Sequence, residues 1–414
     1  MAVNPLLSVN QERLNNRISQ LAEIGKLPNG GVCRIAYSLE DLQARDLIKT
    51  WMSEAGMQVR IDAAGNIIGT YPGRVEKAPA LATGSHIDTV PSGGRYDGTL
   101  GVLAGIEIAQ ILKENNIKLI HPLEVIVFTD EESKMFGAKA MSGNLGDNAE
   151  YYRRDDGTAI QTCLEWIGGN WEQVKTAQRS KSEIAAYVEL HVEQGGVLER
   201  TGKQIGIVEG IVGQNRFTIA VNGSANHAGT TPMELRKDAL VAASQVVLAV
   251  HDLAKSRQGN MVATVGSFNV WPNAANIVPG KVEMSLDVRD LYPYNIYNLL
   301  INLQKQISII AANTQTKIIM QPTLRVQPTL AKPEIKDAIA QVCQQLKLSY
   351  YHLPSRAGHD AQELGKITDM GMIFVPSTRG ISHSQEEYTS PEQCSQGANV
   401  LLQTLLYLDT IYST

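Results

Sequence analysis

The chain has 414 residues, 43% hydrophobic and 19% charged, long enough for two domains with separate cores. A net charge of −5 and 6% aromatic residues exclude a basic stacking surface for nucleic acid, and no apolar run approaches the ~20 residues that span a bilayer. Residues 1–16 are polar and lack the apolar core of a signal peptide. With four scattered cysteines, Cys33, Cys163, Cys343 and Cys394, that predicts a reduced, cytoplasmic protein with no nucleic-acid or membrane partner.

In chain order, residues 39–55 read as a helix, 59–61 and 66–70 as short strands, and 80–87 as a small-residue apolar run ending in a polar loop. Residues 100–114 have helical apolar spacing, and 123–129 form a continuous apolar strand. This alternation predicts an α/β domain with a buried sheet. The pattern then changes: strand 216–221, helix 235–255, strand 261–270, strand 281–289, helix 294–313, strand 316–326. In 281–289 the residues Val282, Met284, Leu286 and Val288 share one face. The order β-α-β-β-α-β predicts a small two-layer unit of the split βαβ type. Helix 332–346, strand 372–376 and helix 395–408 return to the first domain. The expected bounds are 1–212 with 329–414, and 213–328 for the insertion. No internal repeat or low-complexity tract interrupts them.

Polar runs follow several of these apolar segments, and in open α/β sheets sites form at the carboxyl ends of strands. His86 and Asp88, two apart, share a side of an extended segment, and a ligating histidine needs an acceptor on its second nitrogen. Asp97 sits among Gly93, Gly94 and Gly98, in a loop sharp enough to turn a bridging carboxylate inward. Asp130, Glu131 and Glu132 follow a strand, and three adjacent carboxylates repel unless a cation or a proton relieves them. One glutamate of such a pair can bind metal while its neighbour serves as general base toward water. The runs Glu189-Leu-His191-Val-Glu193 and Gly380-Ile-Ser-His383 complete an inventory that suits two divalent ions. Taken one at a time, each of these is equally a hydrogen-bonded structural histidine or a solvated glutamate. The residues alone leave a di-metal hydrolase and a set of structural polar groups both open.

At these positions the chain resembles the N-carbamoyl-L-amino-acid amidohydrolase group, which includes allantoate amidohydrolase, within the superfamily of two-metal aminoacylases and dipeptidases. The matching motifs are Gly84-Ser-His-Ile-Asp-Thr-Val, Leu190-His-Val-Glu-Gln-Gly, Ile211-Val-Gly-Gln, Asn226-His-Ala-Gly-Thr-Thr-Pro-Met, Pro272-Asn-Ala-Ala-Asn-Ile-Val-Pro-Gly, Ala357-Gly-His-Asp-Ala and Gly380-Ile-Ser-His. They cover nearly the whole chain. The resemblance implies a di-metal catalytic domain with a central mixed sheet, and an inserted ferredoxin-like lid and dimerisation domain. It implies His86, Asp97 and His191 on one metal and Asp97, Glu132 and His383 on the other. Glu131 is then the general base, Asp88 the partner of His86, and His227 an oxyanion stabiliser acting within its own subunit or from a neighbour. Asn276 and Arg289, with Gln194, Gln214 and Arg216, are implied at the substrate. The implied cofactors are two zinc or manganese ions, with cobalt and nickel also suited to His/Asp/Glu donors. The implied reaction cleaves the ureido C–N bond of an N-carbamoyl-L-amino acid or allantoate, releasing ammonia and carbon dioxide.

Three other readings remain: a ureidoglycolate amidohydrolase or β-ureidopropionase, an aminoacylase or dipeptidase, and a non-catalytic binding protein. Arg289 lies on the polar face of its strand, where a fork for a carboxylate and a rim salt bridge with Asp287 or Asp290 are both open. His359 reads as pocket lining and not a ligand. The sequence departs from the family pattern at Asp130, at Lys134-Met135 and at Arg356, which leaves the substrate's identity open.

Overall fold

The apolar segments pair into a nine-stranded mixed sheet in a computed structural model that describes residues 7–75, 77–256, 259 and 261–413. The start of the stretch expected to lack a signal peptide lies outside those residues. The strand order is Gln58–Ile61, Ile67–Tyr71, Leu123–Phe128, Ala80–His86, Ile184–Val192, Asp369–Val375, Ile205–Ile211, Thr329–Leu330, with Tyr350–Ser355 also on Ile205–Ile211. The four central strands, Leu123–Phe128 through Asp369–Val375, run parallel, and Ile67–Tyr71 and Ile205–Ile211 pair antiparallel on either side of them. A strand covered on both faces is mostly apolar, and Ala80–His86, Leu123–Phe128 and Ile184–Val192 are buried at every residue. Parallel strands also share one carboxyl edge, so whatever follows each strand meets there.

Two compact units divide the chain: the residues up to Gly210 with those from Leu330 onward, and Ile211–Thr329. In the first, helix Thr99–Glu114 packs on the sheet with Leu100, Val102, Leu103 and Ile106 at 0% exposure, each worth about 1.5–3 kcal/mol of burial. Its first residue lies two beyond Asp97, so this packing also fixes the Asp97 loop. None of the described helices is long and apolar enough to cross a membrane.

In the second unit, Phe268–Trp271, Lys281–Asp290, Gly213–Asn222 and Lys317–Val326 form an antiparallel sheet in that order, with Val262–Thr264 also on Lys281–Asp290. Val282, Met284, Leu286 and Val288 alternate inward and share a core with helices Ala239–Lys255 and Pro293–Thr314. Two expected elements differ. The strand expected over 261–270 is two strands, Val262–Thr264 and Phe268–Trp271. Between them Ser267 and Ser285 exchange backbone-to-hydroxyl bonds alongside the Ser285 N–H bond to the Ser267 main-chain oxygen. The helix expected from 235 starts at Ala239, because the Asp238 carboxylate accepts the N–H groups of Leu240 and Val241 and so caps it there. Strand Ile184–Val192 was not expected as a strand, since Glu189 and His191 interrupt its apolar run.

Candidate metal centre

His86 ends strand Ala80–His86, and His191 is the second-last residue of the neighbouring parallel strand. Glu131 and Glu132 open the short helix Glu131–Lys134 just after strand Leu123–Phe128, and His383 follows strand Asp369–Val375. The shared edge of the sheet therefore brings them together around Asp97. Gly98 permits the approach: its φ is +64°, and a Cβ there would overlap the His86 ring.

Asp97 Oδ1 lies 3.0 Å from His191 Nε2 and 3.8 Å from His86 Nε2, while its Oδ2 lies 3.1 Å from His383 Nε2. Glu132 Oε2 is 3.4 Å from His383 Nε2, and Glu131 Oε2 is 3.6 Å from His86 Nε2. The ligand atoms of His86, Asp97 and His191 lie within 4.8 Å of one another, as do those of Asp97, Glu132 and His383. The side chains of His86 and His191 are 3% and 1% exposed and form the buried floor; that of His383, at 48%, marks the open side.

The ring nitrogens turned away from the centre are held. His86 Nδ1 meets the Asp88 main-chain oxygen at 2.9 Å, and His191 Nδ1 meets that of Val192 at 2.8 Å. This leaves each Nε2 facing Asp97. The expected carboxylate–histidine pair takes a different form: the Asp88 carboxylate is 3.7 Å from His86, and it accepts the N–H groups of Glu131 at 3.4 Å and Glu132 at 3.2 Å. Asp88 thus holds the histidine by its carbonyl and the glutamate turn by its carboxylate.

Charge in this cluster is out of balance. Burial, then the charges of Asp360, Glu132, Asp88 and Asp97, push the Glu131 carboxyl well above the usual range, and burial pushes Glu132 up to about 7. Burial opposes ionisation of Asp97 too, but hydrogen bonds with His191 and His383 hold it well below the usual value. Burial would lower His191, yet Asp97 raises it to about 9, and the hydrogen bond with Asp97 raises His383 to about 9. Carboxylates packed this closely are eased by a cation, and two imidazole-carboxylate sets sharing one carboxylate suit a pair of divalent ions. The donor set fits the implied metals.

The remaining expected residues fall in different surroundings. Gln194, at φ +56°, donates from Nε2 to Asp97 Oδ2 at 2.9 Å. Glu193 caps helix Val197–Thr201 through the N–H groups of Val197 and Leu198, a structural role. His359 is buried, with its ring centroid 4.5 Å from that of His191 and its Nε2 2.8 Å from Ser355 Oγ, so it backs the floor, where its ligand atom and those of Glu189 and His191 also lie within 4.8 Å of one another. Asp130 adopts φ +56° in the tight turn before the glutamates, a conformation that aspartate tolerates. Lys134 Nζ stands 5.1 Å from the Tyr151 ring centroid. Arg356 is half-buried, and its charge acts on Glu193.

In the second unit, His227 is exposed on a two-residue strand paired with Ile277–Val278. Its Nδ1 accepts the N–H groups of Gly229 and Thr230, so the neutral ring carries its proton on Nε2. Asn276 accepts the Ala228 N–H with its main-chain oxygen. Arg289 Nε donates to Asp287 Oδ1 at 2.9 Å, Arg216 Nε donates to Asp287 Oδ2 at 2.8 Å, and Gln214 donates to the same oxygen. The salt bridge to Asp287 is present, and Asp287 gathers three of the expected substrate residues. Sequence reasoning missed Glu387 and Ser382, which contact the Asp97 loop. It also missed Asp360, whose two carboxyl oxygens are buried without hydrogen bonds beneath the centre.

The family described as Peptidase family M20/M25/M40 matches residues 82–407. An N-carbamoyl-L-amino acid amidohydrolase of Geobacillus stearothermophilus is 39% identical over 402 residues, covering 96% of this chain and 98% of that protein. An allantoate amidohydrolase of Bacillus subtilis (strain 168) is 34% identical, covering 95% and 97%. The solved structure of an amidase of the hydantoinase/carbamoylase family from Burkholderia multivorans superposes with a TM-score of 0.91 at 35% identity, covering 97% of this chain and 98% of that one.

Proposed function

Because this chain belongs to the peptidase family M20/M25/M40, and within it to the N-carbamoyl-L-amino-acid amidohydrolase group, we propose that it is a metal-dependent amidohydrolase. It cleaves the ureido C–N bond of a small acid, an N-carbamoyl-L-amino acid before allantoate. The observation that carries this reading is the convergence of His86, Asp97, Glu132, His191 and His383, with Glu131 beside them, at one edge of the sheet.

His86, Asp97 and His191 would hold one divalent ion and Asp97, Glu132 and His383 the second, and such a pair polarises both water and the substrate carbonyl. Zinc and manganese are the metals proposed. Glu131 takes a proton from water on its carboxylate and delivers it to the leaving nitrogen. Burial and the neighbouring carboxylates raise the proton affinity of Glu131, which suits it to hold the transferred proton. With cations on Glu132 and Asp97 it would return to the ionised form that accepts one. The new C–O bond replaces the C–N bond, giving ammonia and a carbamate, which loses carbon dioxide to leave the amine. His227 donates from Nε2 to the oxygen that gains charge. Arg289 and Asn276 grip the substrate carboxylate, with Gln194, Gln214 and Arg216 around it. Asp287 is well placed to hold Arg289 and Arg216 in a fixed orientation.

We further propose that the segment expected over 213–328 is a ferredoxin-like lid through which the protein forms a homodimer, and that the enzyme is cytoplasmic. Four unpaired cysteines support the last point. The test is kcat/KM for ammonia release from N-carbamoyl-L-amino acids and allantoate beside a dipeptide series. Efficient dipeptide cleavage without ureido turnover would overturn the proposal.

A further inference from the structure

One buried carboxylate outside the ligand sets touches both the loop of Asp97 and the residue beside His383. Glu387, 4% exposed, accepts the main-chain N–H of Tyr96 at 2.8 Å and that of Asp97 at 3.1 Å on Oε1, and the Ser382 hydroxyl at 3.0 Å on Oε2. Asp97 is the residue common to both candidate sets, and Ser382 directly precedes His383. The Ser382 hydroxyl is also 3.2 Å from Asp97 Oδ2. A hydroxyl has one proton to give, so a cation drawing on Asp97 leaves that proton to Glu387.

The packing is specific. Gly94 lies against this carboxylate so closely that a Cβ there would collide with it. Two consecutive N–H groups on one oxygen fix the peptide plane before Asp97, and hence the direction in which its side chain leaves the chain. The hydroxyl on the other oxygen fixes the backbone that presents His383. One side chain therefore sets the spacing between the bridging carboxylate and the exposed histidine. Those residues belong to loops that follow different strands, Ala80–His86 and Asp369–Val375.

We propose that Glu387 is the positioning residue of the metal centre: it touches no reacting atom and holds Asp97 and His383 in register for the two cations. This rests on the two-metal reading above. Outer carboxylates that orient ligands typically contribute 10–100-fold in metal affinity, and pre-set ligands need less ordering when the metal arrives.

The test titrates metal-free, full-length protein with zinc against a competing chelating dye, for the wild type, Glu387→Ala, Glu387→Gln and Gly94→Ala. Urea unfolding of each in chelator runs in parallel. Glu387→Ala should weaken zinc binding about 10–100-fold at both sites. Glu387→Gln should stay close to wild type, since its carbonyl still accepts both N–H groups and its amide donates to the Ser382 oxygen. Gly94→Ala, which displaces the carboxylate without removing it, should follow Glu387→Ala, and it carries the test if Glu387→Ala does not fold. Wild-type zinc affinity in a folded Glu387→Ala or Gly94→Ala, with only the unfolding midpoint lowered, would make Glu387 a plain loop brace and overturn the proposal. Wild-type protein that binds no zinc would instead overturn the two-metal reading itself, and this inference with it.

Discussion

Replacing Glu131 by glutamine separates catalysis from metal binding at adjacent positions. Glu131 is absent from the three groups whose ligand atoms cluster, whereas Glu132 belongs to one of them. Its carboxyl lies among Asp360, Glu132, Asp88 and Asp97, all of which oppose its ionisation. An amide of the same shape takes no ligand from the cluster and replaces a carboxyl already pushed toward its neutral form, so metal retention and the unfolding midpoint in chelator should hold. The rate should not. Loss of a positioned base costs ~10²–10⁴-fold, which at about 1.4 kcal/mol per factor of ten raises the barrier by roughly 3–5 kcal/mol. The assay is ammonia release at saturating N-carbamoyl substrate, with metal content measured by mass spectrometry on the same samples. Near-normal turnover with two metals retained would refute the assignment of Glu131 as base.

Metal affinity should fall as pH falls, because His191 and His383 are pushed up to about 9 and Glu132 to about 7, and a cation must displace those protons. Below pH 9 each protonated histidine lowers the affinity of its site about tenfold per pH unit; calorimetry in buffers of different ionisation heat should record proton release, and a pH-independent affinity would contradict it. Arg289→Lys should lower kcat/KM for carboxylate-bearing substrates at least about tenfold, since an ammonium cannot reproduce the guanidinium fork, and an equal loss on an amide lacking the carboxylate would count against carboxylate recognition. Mixed His227→Ala and Glu131→Gln subunits should regain part of the activity if His227 serves a neighbouring subunit's site, and no gain after verified exchange would sink that arrangement.

The proposed metal donors were legible as a cluster because they follow or end apolar runs, and parallel strands deliver such residues to one edge. His191 was legible as a donor but not as a strand residue, since Glu189 and His191 break the apolar pattern of a strand buried on both faces. The role of Asp88 was half legible. Spacing puts it beside His86, but only backbone geometry decides that its carbonyl meets the ring and its carboxylate meets the glutamate turn. The cluster on Asp287 depends on register: Asp287 pairs with Arg216 and Arg289 with Gln214 across two strands, which no local pattern specifies. Glu387 was illegible for a similar reason. Its partner Tyr96 is 291 residues away, and a glutamate in a polar tail reads as solvated surface. The break within 261–270 falls where two serine hydroxyls also bond the facing main chain, a cross-strand detail that no local pattern specifies.

The most direct test of the central claim follows the ureido carbon. Metal-loaded protein is given an N-carbamoyl-L-amino acid labelled with ¹³C at that carbon, and ammonia, labelled carbon dioxide and free amino acid are quantified with and without chelator. The three products should appear in equal amounts, with all three lost when metal is removed and restored when it returns. Intact labelled substrate from metal-loaded protein that cleaves dipeptides, or product formation undiminished by chelator, would contradict it.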